Sequence, residues 1–578
     1  MKILFVMRNL LYLRNYGSTL RLLAEQGHEI VLTYESERNL LPPEVAEAAE
    51  TLVREQPRIR LARAVARSGF WAPLAAQVRV LMDFLRYCDP RLETARRCAA
   101  RAESFVFPPL RPLARLSEAR RRRVLPRIQR LAASIEEALP DAAAIRAQIE
   151  QERPDCLLVT PLLDFGPTQV EYVKLARRLG IPSALLVASW DNLTNKGLIQ
   201  ICPDRVVVWN HHQAAEAAEL HGVPPERIVV TGAQLFDQWF DREPSRDRGT
   251  FCRQVGLDPA RPFLLYTCSS IFISRYEAQF LERWLTRLRD DPPPALAGIG
   301  VLVRPHPGSS KFAAQVAELL ERFPEQTALF PREGGYPVTP AAQDDYYDSL
   351  HHSAGLIGIN TSAMLEAAIL GRRCFTILDP EVAESQGGML HFAHLLRGGF
   401  LKTADSFEQH FAQIAEAVEH PGQSEAERAF VADFLRPNGL ERPAAPQLAR
   451  AIEALGALRP APAAPAPGTA LRRLLYAPLA LYFLSVEDLR LRKRWAETSL
   501  LKLRITQAAM LLARAEKYLL RRPLRSAGNH LRRAGKRSGK WLERRVLRRL
   551  RALPARVTGR TAAKQASADS PHEERVGK

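Results

Sequence analysis

An arginine and a histidine one residue apart, Arg304 and His306, directly follow the apolar run Val301 to Val303. At the end of a strand, a guanidinium and an imidazole can together bind phosphate oxygens and donate to a departing group. Farther on, Gly355 to Ile359 empties into Asn360, Thr361 and Ser362, with Glu366 four positions after Ser362. A helix opening there would turn unpaired backbone N–H groups outward and make an anion site. It would also set Ser362 and Glu366 on one face, a hydroxyl and a carboxylate projecting together. Such a mouth suits a nucleotide diphosphate, with phosphate and ribose hydroxyls on that pair. The same residues also make an ordinary capped helix whose glutamate favours the dipole.

A second loop, Ser189 to Gly197, follows another apolar run and offers Trp190, Asp191 and Lys196. Asp191 is the first candidate for a general base, taking a proton from an attacking hydroxyl. Trp190 would stack on a sugar ring or pack beneath its own loop. Asp164, in the loop after Cys156 to Thr160, is the rival base, and a turn-forming role fits either aspartate equally. Arg8, Asn9 and Arg14 would touch an anionic acceptor or stay solvated. The glycine-rich stretch Glu384 to Phe392 would cover the ligand with Gln386 and His391, or simply connect to the following helices. With no Asp-x-Asp pair and no histidine cluster, no metal and no cofactor are expected. A departing negative charge can be stabilised by a helix N-terminus with Arg304 and His306.

Positioning these groups requires parallel sheets. Lys2 to Met7, a helix from about Tyr16 to Gln26 and Glu29 to Thr33 read as a βαβ start. The alternation is lost from about 36 to 150, an Ala-, Leu- and Arg-rich stretch with helical spacing, read as an insertion whose run Arg120 to Arg123 is a solvated or anion-facing surface. It resumes at Cys156, and Gly232 marks the crossover into a second series of strands and helices. The expected fold class is α/β, two Rossmann-like domains facing a cleft, at 1–232 and 233–458. A Pro/Ala linker follows at 459–470, then a basic amphipathic tail at 471–578.

The formal net charge of +19 lies in that tail, which holds 28 Lys+Arg against 8 Asp+Glu. The rest of the chain is close to neutral, so the charge does not describe the body. In the tail, Leu501, Ile505, Ala508, Leu512, Ala515 and Leu519 form one helical stripe, while Leu542, Val546, Leu550 and Leu553 form another, opposed by arginines. That pattern suits an anionic membrane surface, and its apolar stripes are longer than a nucleic-acid contact requires. No stretch reaches the ~18 apolar residues of a spanning helix. The seven cysteines are scattered without C-x-x-C spacing, which implies a reducing compartment. The first residues read as a strand rather than a leader, and the expected location is cytoplasmic, peripheral to the inner face of the cell membrane.

The Arg-x-His-Pro run after a strand, with Gly-x-x-Thr-Ser-x-x-Leu-Glu-Ala followed by Gly, resembles the nucleotide-binding half of GT-B glycosyltransferases of bacterial surface-polysaccharide assembly. It is most similar to the His-Pro group of polysialyltransferases and CDP-glycerol glycerophosphotransferases. The resemblance implies that His306, Thr361 and Ser362 bind donor phosphates and that Glu366 holds the donor ribose. It implies a nucleotide sugar as donor substrate and a cell-surface glycan or lipid-linked acceptor. Cys374 stands eight residues after Glu366, where many retaining members carry a second glutamate. Alternatives are a UDP-N-acetylglucosamine 2-epimerase-like enzyme, a CDP-polyol phosphotransferase and a non-catalytic GT-B scaffold.

Overall fold

The computed structural model describes residues 1–35, 43–270, 272–274, 276–307, 310–332, 334–422 and 424–491. Two compact units divide the chain, Met1–Ala477 and Pro478–Lys578. The second contributes to the described residues only the rest of the helix Thr469–Leu491. Both tail stripes fall outside the described residues.

The first unit contains two parallel sheets. In the first, β1 (Lys2–Met7), β2 (Glu29–Tyr34), β3 (Ile59–Arg63), β4 (Cys156–Thr160), β5 (Ser183–Leu186), β6 (Arg205–Val208) and β7 (Ile228–Val230) take the order 3-2-1-4-5-6-7. In the second, β8 (Phe263–Thr267), β9 (Gly300–Arg304), β10 (Thr327–Leu329), β11 (Leu356–Ile357), β12 (Cys374–Ile377) and β13 (Leu401–Ala404) take the order 10-9-8-11-12-13. Every described pairing is parallel. The central strands are apolar without alternation because helices cover both faces, as for Leu4 to Met7 and Val301 to Val303, all fully buried. Each sheet reverses its strand order once, between β1 and β4 and between β8 and β11. The crevice beyond the strand ends at such a reversal is where an open parallel sheet receives a ligand.

Five helices of the first half bear on the site: α1 (Leu13–Glu25), α2 (Pro43–Glu55), α3 (Ala72–Arg86), α4 (Arg96–Phe105) and α5 (Glu118–Ala138). The insertion expected from about 36 starts later than the sequence suggested. Helix α2 and β3 complete another parallel crossover, with Ile30 to Tyr34 in register with Ile59 to Arg63. As an edge strand with one buried residue, Ile59, β3 lacks the apolar run that identifies a central strand.

The boundary at 458 also needs correction. Helix Ala444–Gly456 follows the second sheet in sequence but packs on α1 and the first sheet, burying Leu448, Ala449, Ile452 and Leu455 with Ile3 and Phe5. Asp237 fixes its start, accepting from Ala444 N at 2.9 Å and Ala445 N at 2.7 Å. Gly232, where the chain first leaves the first sheet, has φ of +91°, and a Cβ there would lie 2.8 Å from that of Ala444. A glycine is therefore required where the outgoing and returning segments cross.

Candidate active site

At the mouth of the first sheet, β1 runs into Arg8, β4 leads to Asp164, and β5 leads to the loop of Trp190, Asp191 and Lys196. Arg8 Nη1 pairs with Asp164 Oδ2, and Lys196 Nζ lies 3.7 Å from Asp164 Oδ1. Asp191 is half-buried. Burial pushes its carboxyl upward, but Lys196, His391 and a hydrogen bond from Ser189 outweigh that and hold it below the ordinary range. Tyr12 stands among these charges. Burial, then Asp164 and Asp191, push its phenol well up, so it stays neutral.

The helical insertion organises this mouth. Asp83 of α3 is fully buried and accepts from Gly166 N and Leu198 N at 2.8 Å each and from Gln200 Nε2 at 2.9 Å. One carboxylate thus anchors the segments flanking both Asp164 and Lys196. Burial raises it to about 7 despite these donors. A Cβ at Gly197 would lie 2.6 Å from Asp83 Oδ1, which excludes any larger residue. Arg86, also of α3, donates to Lys196 O and Gly197 O at 2.7 Å each and to Leu193 O.

The second mouth has a different character. Arg304 is buried and turned onto the helix Pro340–His351, where Nη1 donates to Ser349 Oγ at 2.8 Å and the guanidinium lies 5.1 Å from the Tyr346 ring centroid. Burial lowers it to about 10. The phosphate contact expected of Arg304 is replaced by a positioning one, because a buried guanidinium must spend its donors on whatever surrounds it. It lies beneath Tyr346, whose hydroxyl donates to Glu366. Burial lifts Glu366 to about 7, restrained by that bond and by Arg14 and Arg304. His306 is half-buried, and burial with the nearby Arg14 charge lowers it, leaving a neutral imidazole.

Asn360 is buried, its amide donating to Ser385 O at 2.7 Å and its backbone N–H to Ser269 Oγ at 3.4 Å. Its Oδ1 and the Oγ1 of Thr267, at the end of β8, are buried without a hydrogen-bond partner. Thr361 Oγ1 accepts from Ala363 N at 3.3 Å. Ser362 is exposed at the N-cap position and makes no capping bond there. The helix that it opens has seven residues, Ala363–Ile369, shorter than expected. Gln386 does not face the mouth: it is buried, and Nε2 donates to Ile377 O at 2.8 Å and Thr376 Oγ1 at 3.0 Å. A buried amide satisfies itself on the nearest strand end.

The two mouths meet. Asn195 donates to His391 Nδ1 at 2.7 Å, and the Trp190 ring stands edge-on to His391 at 4.6 Å. Trp190 is buried within the hydrophobic core. Burial pushes His391 down to about 4, even beside Asp191. Arg14, exposed at the start of α1, lies 5.9 Å from the ring centroid of Tyr336 in the second half. The structure therefore gathers Asp191, Lys196 and Asp164 on one side, with His306, Thr361, Ser362 and Glu366 on the other and Arg14 and His391 between. Tyr12, Asp83, Asn195 and Tyr346 escaped the sequence reading. Tyr346 stands in an unremarkable helical stretch, and only Asn195, within the same loop as Asp191, carried a signal. Two carboxylates held apart, one below its usual range and one near neutrality, can divide proton acceptance from hydroxyl binding.

Among the described residues, no group of three or more His, Cys, Asp or Glu could hold a metal ion, and no helix is long and apolar enough to cross a membrane. No protein-family model and no curated protein matches the chain. Among solved structures it is similar to UDP-GlcNAc 2-epimerase from Neisseria meningitidis bound to UDP-GlcNAc, at 11% identity and a TM-score of 0.45, covering 78% of this chain and 100% of that one. A glycosyltransferase from Rickettsia africae ESF-5 gives 11% and 0.45 over 78% and 97%. WaaG, a glycosyltransferase involved in lipopolysaccharide biosynthesis, gives 11% and 0.40 over 79% and 100%. Likenesses this slight carry no chemistry from one chain to the other, and the fold class rests on the two sheets themselves.

Proposed function

We propose that the protein is a GT-B glycosyltransferase that moves a sugar from a nucleotide-activated donor to a glycan or glycolipid acceptor of the cell envelope. The observation that carries this reading is the convergence of the two mouths: Asp191 and Lys196 beyond one parallel sheet, His306 and Glu366 beyond the other. The donor lies at the second sheet, its phosphates on His306, Thr361 and Ser362 and its ribose on Glu366, in the manner of the His-Pro group. Asn360 and Thr267 offer buried oxygens without protein partners at the same strand ends. Arg14 is the exposed cation that faces the departing diphosphate.

The acceptor hydroxyl oxygen attacks the anomeric carbon, and the bond to the diphosphate oxygen breaks with its electron pair leaving on the nucleotide. The proton passes to Asp191, ionised at neutral pH, with Lys196 steadying its charge. The neutral imidazole of His306 donates a hydrogen bond to the departing phosphate. This chemistry calls on no metal. The enzyme would work on the cytoplasmic face of a membrane, held peripherally by its basic tail.

The test is calorimetry with UDP, CDP, GDP and their sugar conjugates against wild type and His306→Ala. One nucleotide should bind, about 10-fold more weakly in the variant, as loss of a charge-assisted hydrogen bond predicts. The bound donor should then release nucleotide only when an acceptor is added. Turnover of the donor alone would instead make the protein an epimerase, and binding of no nucleotide would leave a scaffold.

A further inference from the structure

The insertion contains a cavity that the transfer reaction does not use. It has a volume of about 430 Å³ and lies between α3, the segment after it and α5, with Leu85, Leu92, Leu125 and Leu198 on its walls. That is within the ~300–1,000 Å³ of small-molecule sites. Four arginines also line it. Arg91 pairs with Asp89, and Arg122 pairs with Glu118. Arg86 and Arg121 take part in no described ion pair. Arg86 donates to the carbonyls of Leu193, Lys196 and Gly197, and Arg121 to those of Cys88, Ala114 and Leu116. The Nε of each is buried without a partner. Arg86 is 5% exposed, and Asp83, one turn earlier, is committed to Gly166, Leu198 and Gln200. Asp89 and Glu118 also line it but pair with Arg91 and Arg122, and the Asp83 and Glu216 charges act on Arg86 without pairing with it. Among the described residues Arg86 and Arg121 thus border the hollow with carbonyl partners and no ion pair, an arrangement that an anion completes.

The outside of the same helix indicates where the anion comes from. Arg120, Arg123, Arg127 and Arg130 of α5 are exposed. Leu131 is 52% exposed, and the adjoining first turns of Thr469–Leu491 expose Leu471 at 61%, Leu474 at 70% and Leu475 at 65%. Those turns are fixed to α5 by Ser134 and Tyr476, hydroxyls 3.0 Å apart, and by Arg472 with Glu137 at 2.7 Å. Arginines beside exposed leucines fit the headgroup and acyl layers of an anionic bilayer.

We propose that this cavity takes one chain of an anionic phospholipid from a bilayer, its phosphate on Arg86 and Arg121, while α5 rests among the headgroups. The site is separate from the nucleotide mouth and stands whether or not sugar transfer does.

The probe is monomeric lysophosphatidylglycerol, below its micellar concentration, titrated into the full chain. One saturable site is expected, with lysophosphatidylcholine about 10-fold weaker for want of net charge. Gln129→Trp with Ala133→Trp, at exposed positions lining the cavity, should fill it and weaken binding about 10-fold while the melting temperature holds. Arg121→Gln should lose the preference between the two headgroups. Equal affinity in the filled variant would place binding elsewhere, the basic tail included, and overturn the proposal. Absence of binding to wild type, or indifference to headgroup there, would do the same. Farnesyl phosphate binding ten times tighter than the phospholipid would overturn the bilayer as source.

Discussion

The two mouths use opposite electrostatic strategies. The first is built from ionised groups that compensate one another, Arg8 and Lys196 against Asp164 and Asp191. The second holds groups kept neutral or near neutrality: Glu366 raised to about 7, His306 lowered, and Glu277, which accepts from Ser269 N at 2.8 Å, raised to about 8 by burial. A mouth that must activate a hydroxyl benefits from a standing anion. One that must receive a diphosphate benefits from carboxyls that hold their protons to higher pH, since like charges would repel the ligand. The contrast supports the assignment of acceptor and donor sides proposed above.

The largest effect should come from removing the standing anion. Asp191→Asn is expected to lower kcat by about 10²–10⁴-fold, the usual share of a general base, while the nucleotide Kd changes little. Steady-state kinetics beside calorimetry would check both halves. If nucleotide affinity fell as far as kcat, Asp191 would belong to the donor side and the contrast would fail.

The second mouth should leave its mark on stability. Glu277 has a folded pKa above its unfolded value, so between about pH 4.5 and 8 the folded state holds a proton that the unfolded state has lost. Its contribution to stability is therefore full at the acid end and falls as pH rises, by about 1.4 kcal/mol per unit. Urea unfolding across this range should show that slope in wild type and a flatter one in Glu277→Gln. His391 works the other way: neutral when folded down to about pH 4, it costs stability as pH falls from 6.5 and the unfolded imidazole gains its proton.

A smaller change is expected from Lys196→Met. Without that cation the Asp191 carboxyl rises, and the acidic limb of the kcat profile should move up by roughly one pH unit. Should the limb stay in place, His391 and Ser189 hold Asp191 without help from Lys196. The smallest effect belongs to Ser362→Ala. The exposed hydroxyl makes no capping bond, so thermal unfolding should shift by less than about 0.5 kcal/mol, while nucleotide affinity falls measurably if Ser362 holds phosphate.

Much of the frame was legible because buried parallel strands announce themselves. β1, β4, β8, β9 and β12 each carry a buried apolar run, and the polar residues at and beyond their C-terminal ends were identified from sequence as the mouths. The edge strand β3 lacks that run and was read into the insertion, while β11 takes only Leu356–Ile357 of the run Gly355 to Ile359. Asp191, Lys196 and Glu366 were legible as polar groups after strands. Arg304 and Gln386 obeyed the same rule yet turned inward, toward Ser349 and toward Thr376 and Ile377.

The sequence by itself determined the two strand-and-helix series, the residues at the strand ends and the confinement of net charge to the tail. These depend on local periodicity and composition. Tertiary structure alone decided that Asp83 and Arg86 of the insertion anchor the Asp191 loop, and that residues 444–456 return to the first sheet. It also decided which strand-end groups stay open to a ligand. A buried polar side chain takes whatever partner lies nearest in space, and for Asp83 and Leu198, or Arg304 and Ser349, that partner lies far along the chain.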